Sequence, residues 1–269
     1  RQETLQSLRG GLDATLAHFA NDAMILHNRS RHFLRSIPLY DAHFTTKSFE
    51  VDLYRSAGAR HVQVVPNAVD DNRFQPAPPK EASPFEADVV FIGRCEPHYA
   101  SCLRAVARTG VRLRIWGPRW PRYARLHAWA RKHVEGSGVW GDDYPRALSA
   151  GKISIGLLSK RFPETVTTRS IEIPACATFL LAERTREHLD LFREGKEAEF
   201  FDSKDELVEK ILYYLKHPAE REAIAAAGRR RFVESGYSNR ERFRRMLEEL
   251  GEVTCSLRFD DTGQVRPTT

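Results

Sequence analysis

The sequence predicts an α/β protein with two parallel β-sheets, each covered by helices. Short β-branched or aromatic runs alternate with longer stretches of helical spacing, and this alternation indicates βαβ units. Residues 73–87 hold four prolines and no periodicity, which is typical of a linker. Three candidate strands precede this linker, and four or five follow it. We therefore expect an incomplete doubly wound domain in front and a complete one behind.

The individual elements follow from the same patterns. Strands are predicted at 14–19, 42–46, 62–65, 88–93, 112–117, 152–158 and 178–181. Helices are predicted at 47–57, 99–109, 121–133, 144–150, 204–217 and 219–234. The predicted domains are 1–72 in front, 73–87 as linker, 88–250 behind, and 251–269 as a loose polar tail.

The charge pattern narrows the function classes. The net charge is +6, but basic and acidic residues alternate in stretches such as 220–231 instead of grouping with aromatic residues. A solvated surface is the simplest explanation, and a phosphate-handling site is favoured over binding of nucleic acid. No apolar run approaches the roughly 18 residues that would span a bilayer, so no transmembrane segment is predicted. Peripheral contact with a membrane stays open.

The four cysteines, at positions 95, 102, 176 and 255, do not form a metal-binding pattern. They contain no Cys-x-x-Cys pair and lack histidines at zinc-ligand spacing. Isolated reduced thiols in a cytoplasmic protein are the expectation, and no metal site is predicted.

Two glycines stand at predicted strand ends, where a ligand could approach the backbone. Gly93 and Arg94 follow the first strand of the back domain, and Gly117 follows the second. At the carboxyl edge of a parallel sheet, Arg94 could contact a phosphate through two parallel hydrogen bonds. A plain turn is the alternative explanation for each glycine.

A third loop of the same edge is expected around Trp140. Asp142 or Asp143 is predicted to cap the helix that begins near Tyr144. Trp140 is expected either in the core or as a wall for a nucleobase.

The most informative segment runs from Lys160 to Glu172, after the strand predicted at 152–158. Its threonines and serine predict a helix start between Thr167 and Ser170, and exposed amides at a helix start suit a diphosphate. The amides expected to face the phosphates are those of Thr165, Val166, Thr167 and Thr168. Positive charge there would come from Lys160, Arg161 and Arg169.

Glu164 and Glu172 bracket this segment. One precedes the helix and the other lies in its first or second turn, so both carboxylates are expected to face one crevice. A carboxylate accepts hydrogen bonds well from the vicinal hydroxyls of a ribose. Capping or surface roles are the alternative for either glutamate taken alone.

These residues resemble a known family. The spacing Glu164-x7-Glu172 resembles the E-x7-E motif of retaining GT-B glycosyltransferases, and the run from Thr168 to Cys176 is similar to the CgeB-like, spore-maturation-type members. The other similar runs are 30–33, 40–47, 58–59, 65–68, 187–197, 201–203 and 213–215.

The resemblance implies an enzyme with a Rossmann-type C-terminal domain that binds a nucleoside diphosphate sugar. It implies that Glu172 holds the nucleotide ribose, that Glu164 faces the donor sugar, and that the amides of Thr165–Thr168 face the diphosphate. Arg94 would neutralise phosphate charge as the leaving group departs, so Glu164 and Arg94 are the catalytic candidates. Residues 1–72 would be a fragment of the acceptor-side domain. No divalent metal and no tightly bound cofactor are implied.

Two positions depart from the family pattern, because Tyr99 replaces a frequent basic residue and Ala177 replaces a frequent glycine. The predicted activity is transfer of a sugar, with retention of configuration, to an unknown glycan, lipid, protein or small molecule. UDP, GDP, ADP and TDP stay open as the donor nucleotide. A nucleotide-sugar epimerase of the same fold, or a non-catalytic or degenerate nucleotide-sugar-binding protein, is the alternative.

Overall fold

The structure is a computed structural model that describes residues 2–11 and 14–258. Most predicted strands form within one or two residues of their expected bounds. The strands of the described residues are β1 (Ala17–Ala20), β2 (Ala42–Thr45), β3 (Val62–Val64), β4 (Ala87–Ile92), β5 (Leu113–Trp116), β6 (Val134–Gly136), β7 (Gly151–Gly156), β8 (Phe179–Glu183) and β9 (Glu199–Phe201).

The helices fill the segments between these strands. In the described residues they are α1 (Gln2–Gly11), α2 (Arg31–Ser36), α3 (Val51–Ser56), α4 (Pro79–Ala82), α5 (Pro97–Ala107), α6 (Trp120–Leu126), α7 (Ala128–Arg131), α8 (Asp143–Ser149), α9 (Arg169–Ala175), α10 (Arg186–Leu191), α11 (Lys204–Lys216), α12 (Pro218–Glu234) and α13 (Asn239–Arg258).

Packing divides the chain into two compact units. The first unit combines Arg1–Asn67 with Asn239–Thr269, and the second is Ala68–Ser238. Helix α13 therefore belongs with the front residues, whereas the sequence pattern placed 239–250 behind. Residues 251–258 continue this helix, so the loose tail predicted from 251 is wrong for these residues. Residues 259–269 lie outside the described residues.

The first unit is built on a parallel three-stranded sheet of order β1-β2-β3. Its small core packs Ala42 and Phe44 of β2 and Val65 against Met246 of α13, with Leu250 beside them. The apolar spacing of Met246 and Leu250 on one helical face explains why α13 returns to this sheet.

The second unit is a complete doubly wound domain with a parallel sheet of order β6-β5-β4-β7-β8-β9. The strand order reverses between β4 and β7, which pair side by side. In such folds a ligand binds outside the carboxyl ends of the strands at this reversal. The fold therefore predicts a ligand site at the loops after β4 and β7.

Two apolar layers cover the sheet of the second unit. One layer contains residues of α5, α6 and α11, and the other contains residues of α8, α9 and α12. Because both faces are covered, strand residues such as Val89 and Val90 of β4 are buried on opposite sides. This arrangement explains the continuous apolar runs of the sequence.

Strands β6 and β9 escaped prediction because both are short and carry a glutamate. Glu199 of β9 is nevertheless buried, and Lys210 of α11 donates a hydrogen bond to it at 2.7 Å. This ion pair helps to make a buried glutamate acceptable inside the sheet.

In the part of the chain that the structure describes, no helix combines the length and apolarity needed to cross a bilayer.

Candidate functional site

The ends of β4 and β5 approach each other very closely at the carboxyl edge. Gly117 has φ 147°, and a Cβ there would lie 1.9 Å from the carbonyl oxygen of Gly93. The indole of Trp120 donates a hydrogen bond to the same oxygen at 2.8 Å. This close approach of the two backbones requires a glycine at position 117, whether or not a ligand binds there.

Helix α9 begins at Arg169, with Thr168 at its N-cap, inside the range that the sequence predicts. The Thr168 side chain makes no capping hydrogen bond. Pro174 lies within the helix and is buried, and α9 ends one residue later at Ala175. Ala177 then adopts φ 53°, a left-handed conformation in which a glycine is favoured.

A buried serine–histidine pair holds the start of α9. Nδ1 of His188 donates to the backbone oxygen of Glu183 at 2.7 Å, so Nε2 accepts from the Ser170 hydroxyl, also at 2.7 Å. Burial lowers the pKa of His188, which keeps the ring neutral. Ser170 is 1% exposed and His188 is 0% exposed, so the pair fixes the loop rather than acting on substrate.

Glu172 is the acidic residue of α9 that reaches a cavity. The Tyr144 hydroxyl donates to its carboxylate at 2.7 Å. Burial raises the pKa of Glu172, against the opposing effects of the Tyr144 hydrogen bond and the Arg169 charge. The cavity measures about 180 Å³, and its other lining residues are Arg73, Phe74, Val139, Trp140 and Gly141.

Trp140 is 72% exposed at the rim of this cavity, so the core position that the sequence left open is wrong. Asp142 occupies the N-cap of α8 as expected, but its side chain makes no capping bond. It lies instead 3.7 Å from Arg73, which comes from the predicted linker. Asp143 pairs with Arg146 at 3.2 Å, so the predicted capping by these acids is not realised.

Arg169 lies where the ends of β4 and β7 meet α9. Its Nη2 is 3.4 Å from the Leu157 carbonyl oxygen, and its guanidinium carbon is 6.0 Å from the centre of the Phe91 ring. Among the described residues, the buried Nε of Arg169 has no hydrogen-bond partner. The buried hydroxyl of Thr167 also has none there. Both atoms are donors that the described residues leave unsatisfied near the start of α9.

Lys160 is engaged by the protein. Its ammonium forms an ion pair with Glu183, which is 9% exposed at the end of β8. The Glu183 carboxylate also accepts the Leu158 amide at 2.7 Å and faces His98 Nε2 at 3.0 Å. Lys160 therefore contributes charge near the loop while it anchors that loop to β8.

Glu164 has different neighbours from Glu172. Its carboxylate accepts the amide of Ser159 at 3.2 Å, and the Ser159 hydroxyl donates to Glu96 at 2.7 Å. Arg94 is exposed at the end of β4. A joint action of Glu164 and Glu172 on one ligand stays a prediction.

In residues 2–11 and 14–258, no group of three or more His, Cys, Asp or Glu side chains could hold a metal ion.

Comparison with known proteins identifies the family of this domain. A family profile described as "Glycosyl transferase-like" matches residues 98–248, which is more than half of the chain. The chain belongs to the glycosyl transferase-like family. No curated protein matches the sequence.

Solved structures show the fold of this glycosyl transferase-like chain. HepE of Anabaena, solved with UDP-glucose, has 16% identity and a TM-score of 0.70 over 94% of this chain and 77% of its own. Sucrose-phosphate synthase of Thermosynechococcus elongatus has 14% identity and a TM-score of 0.67, over 95% and 72%. A glycosyltransferase of Rickettsia africae has 12% identity and a TM-score of 0.71, over 95% and 80%. The predicted GT-B-like fold class is confirmed.

Of the seven residues that line the Glu172 cavity, the sequence predicts only Trp140 and Glu172 as site residues, and it misses Arg73, Phe74, Val139, Gly141 and Tyr144. Tyr144 was considered only as a helix start, and Arg73 and Phe74 were assigned to the linker or its border. About 70 residues separate Arg73 from Tyr144, and α8 packs beside α9. These residues therefore come together only in the folded chain, and the sequence does not show that they share a cavity. An aromatic residue next to a helix start was the only available signal.

Proposed function

We propose that this glycosyl transferase-like chain binds a nucleoside diphosphate sugar in its second unit and transfers the sugar to an acceptor. The observation that carries the proposal is the arrangement on α9. Glu172 lines a cavity with one hydrogen bond to the protein, and Arg169 lies one turn earlier with a buried unpartnered donor. A sugar nucleotide carries hydroxyls for the first and phosphate charge for the second.

Glu172 would hold the nucleotide ribose. Its carboxylate uses one of its acceptor positions for Tyr144, which leaves others for two ribose hydroxyls. The exposed ring of Trp140 at the cavity rim would stack on the base. Together these contacts would recognise a nucleoside by its sugar edge and its aromatic face.

The diphosphate would lie nearer the start of α9. Arg169 and the Thr167 hydroxyl are the groups that would bind its oxygens, with exposed Arg94 from the β4 loop. The contact of the Thr165–Thr168 amides with the diphosphate stays a prediction, and the Thr167 amide already donates to the Ser170 hydroxyl at 3.4 Å. In the transfer step an acceptor oxygen would bond to the anomeric carbon of the sugar while the bond from that carbon to the diphosphate breaks. Negative charge grows on the departing phosphate, which would take up the acceptor's proton. Fixed cations and amide dipoles would stabilise this charge electrostatically.

Glu164 would face the donor sugar. Its carboxylate is oriented by the Ser159 amide, which supports a positioned acceptor for sugar hydroxyls. The similarity to the CgeB-like, E-x7-E group suggests retention of configuration by attack on the face that the nucleotide leaves. This finer assignment is part of the proposal.

UDP is the first nucleotide to test, since the fold relative HepE was solved with UDP-glucose. Calorimetric titration with UDP, GDP, ADP and TDP would identify the base, followed by hydrolysis assays with the matching sugar nucleotides. We expect saturable binding of one nucleotide. Binding without turnover in any sugar nucleotide would favour a non-catalytic binding protein.

The matched variants for this test are Glu172→Ala and Glu187→Ala. Loss of the ribose acceptor should cost about 1.5–3 kcal/mol of nucleotide binding, or about tenfold to a hundredfold in affinity. Glu187 lies on α10 and should leave affinity unchanged. Equal affinities of the two variants, with both folded by circular dichroism, would remove Glu172 from the site.

A further inference from the structure

One segment of the second unit, residues 97–134, is strongly basic. Residues 97–134 contain nine arginines and lysines and no aspartate or glutamate. The net charge of this segment therefore exceeds the net charge of +6 of the whole chain. Two of these cations are neutralised locally, because Arg112 pairs with Glu86 at 3.5 Å and Arg114 with Glu135 at 3.0 Å. The excess therefore belongs to the remaining members.

Three of the remaining arginines converge on a groove between α5 and α6. Arg104 of α5 and Arg119 and Arg122 at the start of α6 line a cavity of about 720 Å³. Among the described residues, none of the three forms an ion pair or a side-chain hydrogen bond, and all three are exposed. A cavity of this volume is within the range of about 300–1,000 Å³ for small-molecule sites.

The groove also has an apolar wall. Leu126 is 78% exposed, and Pro97 and Ala100 lie across from it on α5. The ring of Tyr123 is held in place by stacking on His127, with centroids 3.7 Å apart and an interplanar angle of 4°. Because one face of this ring is already covered, its position is set before a ligand arrives.

One acid, Glu96, reaches this groove, and the protein already uses it. Its carboxylate accepts the Ser159 hydroxyl at 2.7 Å. A further cation stands at the rim, where Lys204 donates to the hydroxyl of Ser101 at 3.3 Å. The groove therefore keeps a positive excess beside an apolar surface.

We propose that the α5–α6 groove binds a phosphate-bearing amphiphile, with the phosphate on Arg104, Arg119 and Arg122 and the apolar part against Tyr123 and Leu126. Guanidinium groups bind phosphate oxygens through paired hydrogen bonds. Inorganic phosphate has no apolar part that could contact the apolar wall. The groove shares no lining residue with the Glu172 cavity. Arg104, Arg119 and Arg122 are not among the residues of the proposed donor site, so variants at these arginines test the groove separately from the proposed transferase activity.

Calorimetry with the whole chain tests the site with three probes: monomeric dihexanoylphosphatidic acid, its zwitterionic phosphatidylcholine counterpart, and inorganic phosphate. We expect saturable binding of the phosphatidic acid and affinity at least about tenfold lower for the other two probes. No saturable binding of phosphatidic acid would overturn the proposal. Equal affinity for inorganic phosphate would overturn the amphiphile and leave a simple anion site.

The groove variant is Arg104→Gln with Arg122→Gln, and its control is Arg108→Gln with Arg125→Gln. Both pairs remove two positive charges from the same region, but Arg108 and Arg125 do not line the groove. We expect at least about a tenfold loss of affinity in the groove variant and less than about twofold in the control. Nucleotide binding should be unchanged in both.

Equal losses in the two variants would show that overall charge, rather than the groove, attracts the probe. A bilayer arm separates the remaining source of phosphate. The groove proposal fails if two results occur together: both variants co-sediment equally well with phosphatidylglycerol vesicles, and both bind monomeric phosphatidic acid with the affinity of the parent chain. The basic face would then contact a bilayer. Thermal unfolding of both variants confirms that the comparison is made on folded protein.

Discussion

Two glutamates of the second unit, Glu172 and Glu183, differ in how much of their hydrogen-bonding capacity the protein uses. Glu183 at the end of β8 contacts the Leu158 amide, His98 and Lys160. Glu172 on α9 accepts one hydrogen bond, from Tyr144, and its pKa is raised by burial. The saturated carboxylate holds the loop, whereas the underused carboxylate at a cavity has capacity for a ligand.

The difference shows that a cluster of acids cannot be interpreted from sequence spacing alone. Glu183 attracted no attention as a sequence feature, yet it organises the loop that carries the predicted site. A ligand-binding carboxylate is distinguished by acceptor positions that have no hydrogen-bond partner in the folded protein.

The largest expected effect is the stability contrast between Glu183→Gln and Glu172→Gln. Glutamine at 183 replaces one acceptor oxygen by an amide donor that would face either the Leu158 amide or the Lys160 ammonium, so we expect the free energy of unfolding to fall by about 2 kcal/mol or more. Glutamine at 172 removes a carboxylate whose charge is disfavoured by burial, so the change should stay within about 1 kcal/mol. Urea denaturation of the two variants measures both values. A larger loss at 172 than at 183 would reverse the assignment of anchor and binding residue.

The second prediction uses the raised pKa of Glu172. Nucleotide affinity should fall as pH is lowered through this pKa, beginning at a higher pH than for an ordinary glutamate, because protonation removes acceptor capacity. The contribution of Glu172 to stability changes with pH in the opposite direction to nucleotide affinity. The folded state holds the proton more tightly than the unfolded state, so stability rises as pH falls between the raised and the ordinary pKa.

Calorimetric titration across acidic pH checks this prediction, with Glu172→Gln as the control. The control should have weaker binding at neutral pH and lack the acidic decline. An identical pH profile in both proteins would show that another group controls binding.

A smaller effect is expected from Ala177→Gly, behind the helix that carries Glu172. Ala177 adopts φ 53°, where a side chain costs about 1–2 kcal/mol relative to glycine. Part of this gain is lost to the greater freedom of glycine in the unfolded chain, so stabilisation of about 0.5–1 kcal/mol is expected. Thermal denaturation measures it, and nucleotide affinity should be unchanged. A lower melting temperature would show that the left-handed conformation at 177 is not strained.

The smallest predicted effect is that of metal removal. If cationic side chains and amides carry the leaving-group charge, EDTA should change neither nucleotide affinity nor sugar-nucleotide hydrolysis. A loss of hydrolysis that magnesium or manganese restores would assign that charge to a metal, and the proposed role of Arg169 would then need revision.

The sequence predicted the start of α9 correctly and left other local features undecided. The start of α9 follows from a threonine and serine run after a strand, which is local information. Trp140 had two interpretations, and only the packing of its loop shows that the ring is exposed. Asp142 reached the predicted N-cap, but Arg73 from a distant segment competes for its side chain. The capping rule considers near neighbours only.

Local patterning alone determined the α/β class, most strands and helices, the start of α9 and the choice of Glu172 as a candidate, because periodicity and cap-type residues act over a few positions. Only the tertiary structure decided which polar groups are already satisfied. It places α13 on the first sheet, joins Tyr144 to Glu172 and Lys160 to Glu183, and gathers unpaired arginines between α5 and α6. Hydrogen-bond satisfaction depends on neighbours that are distant in sequence, and those neighbours exist only after the chain has folded.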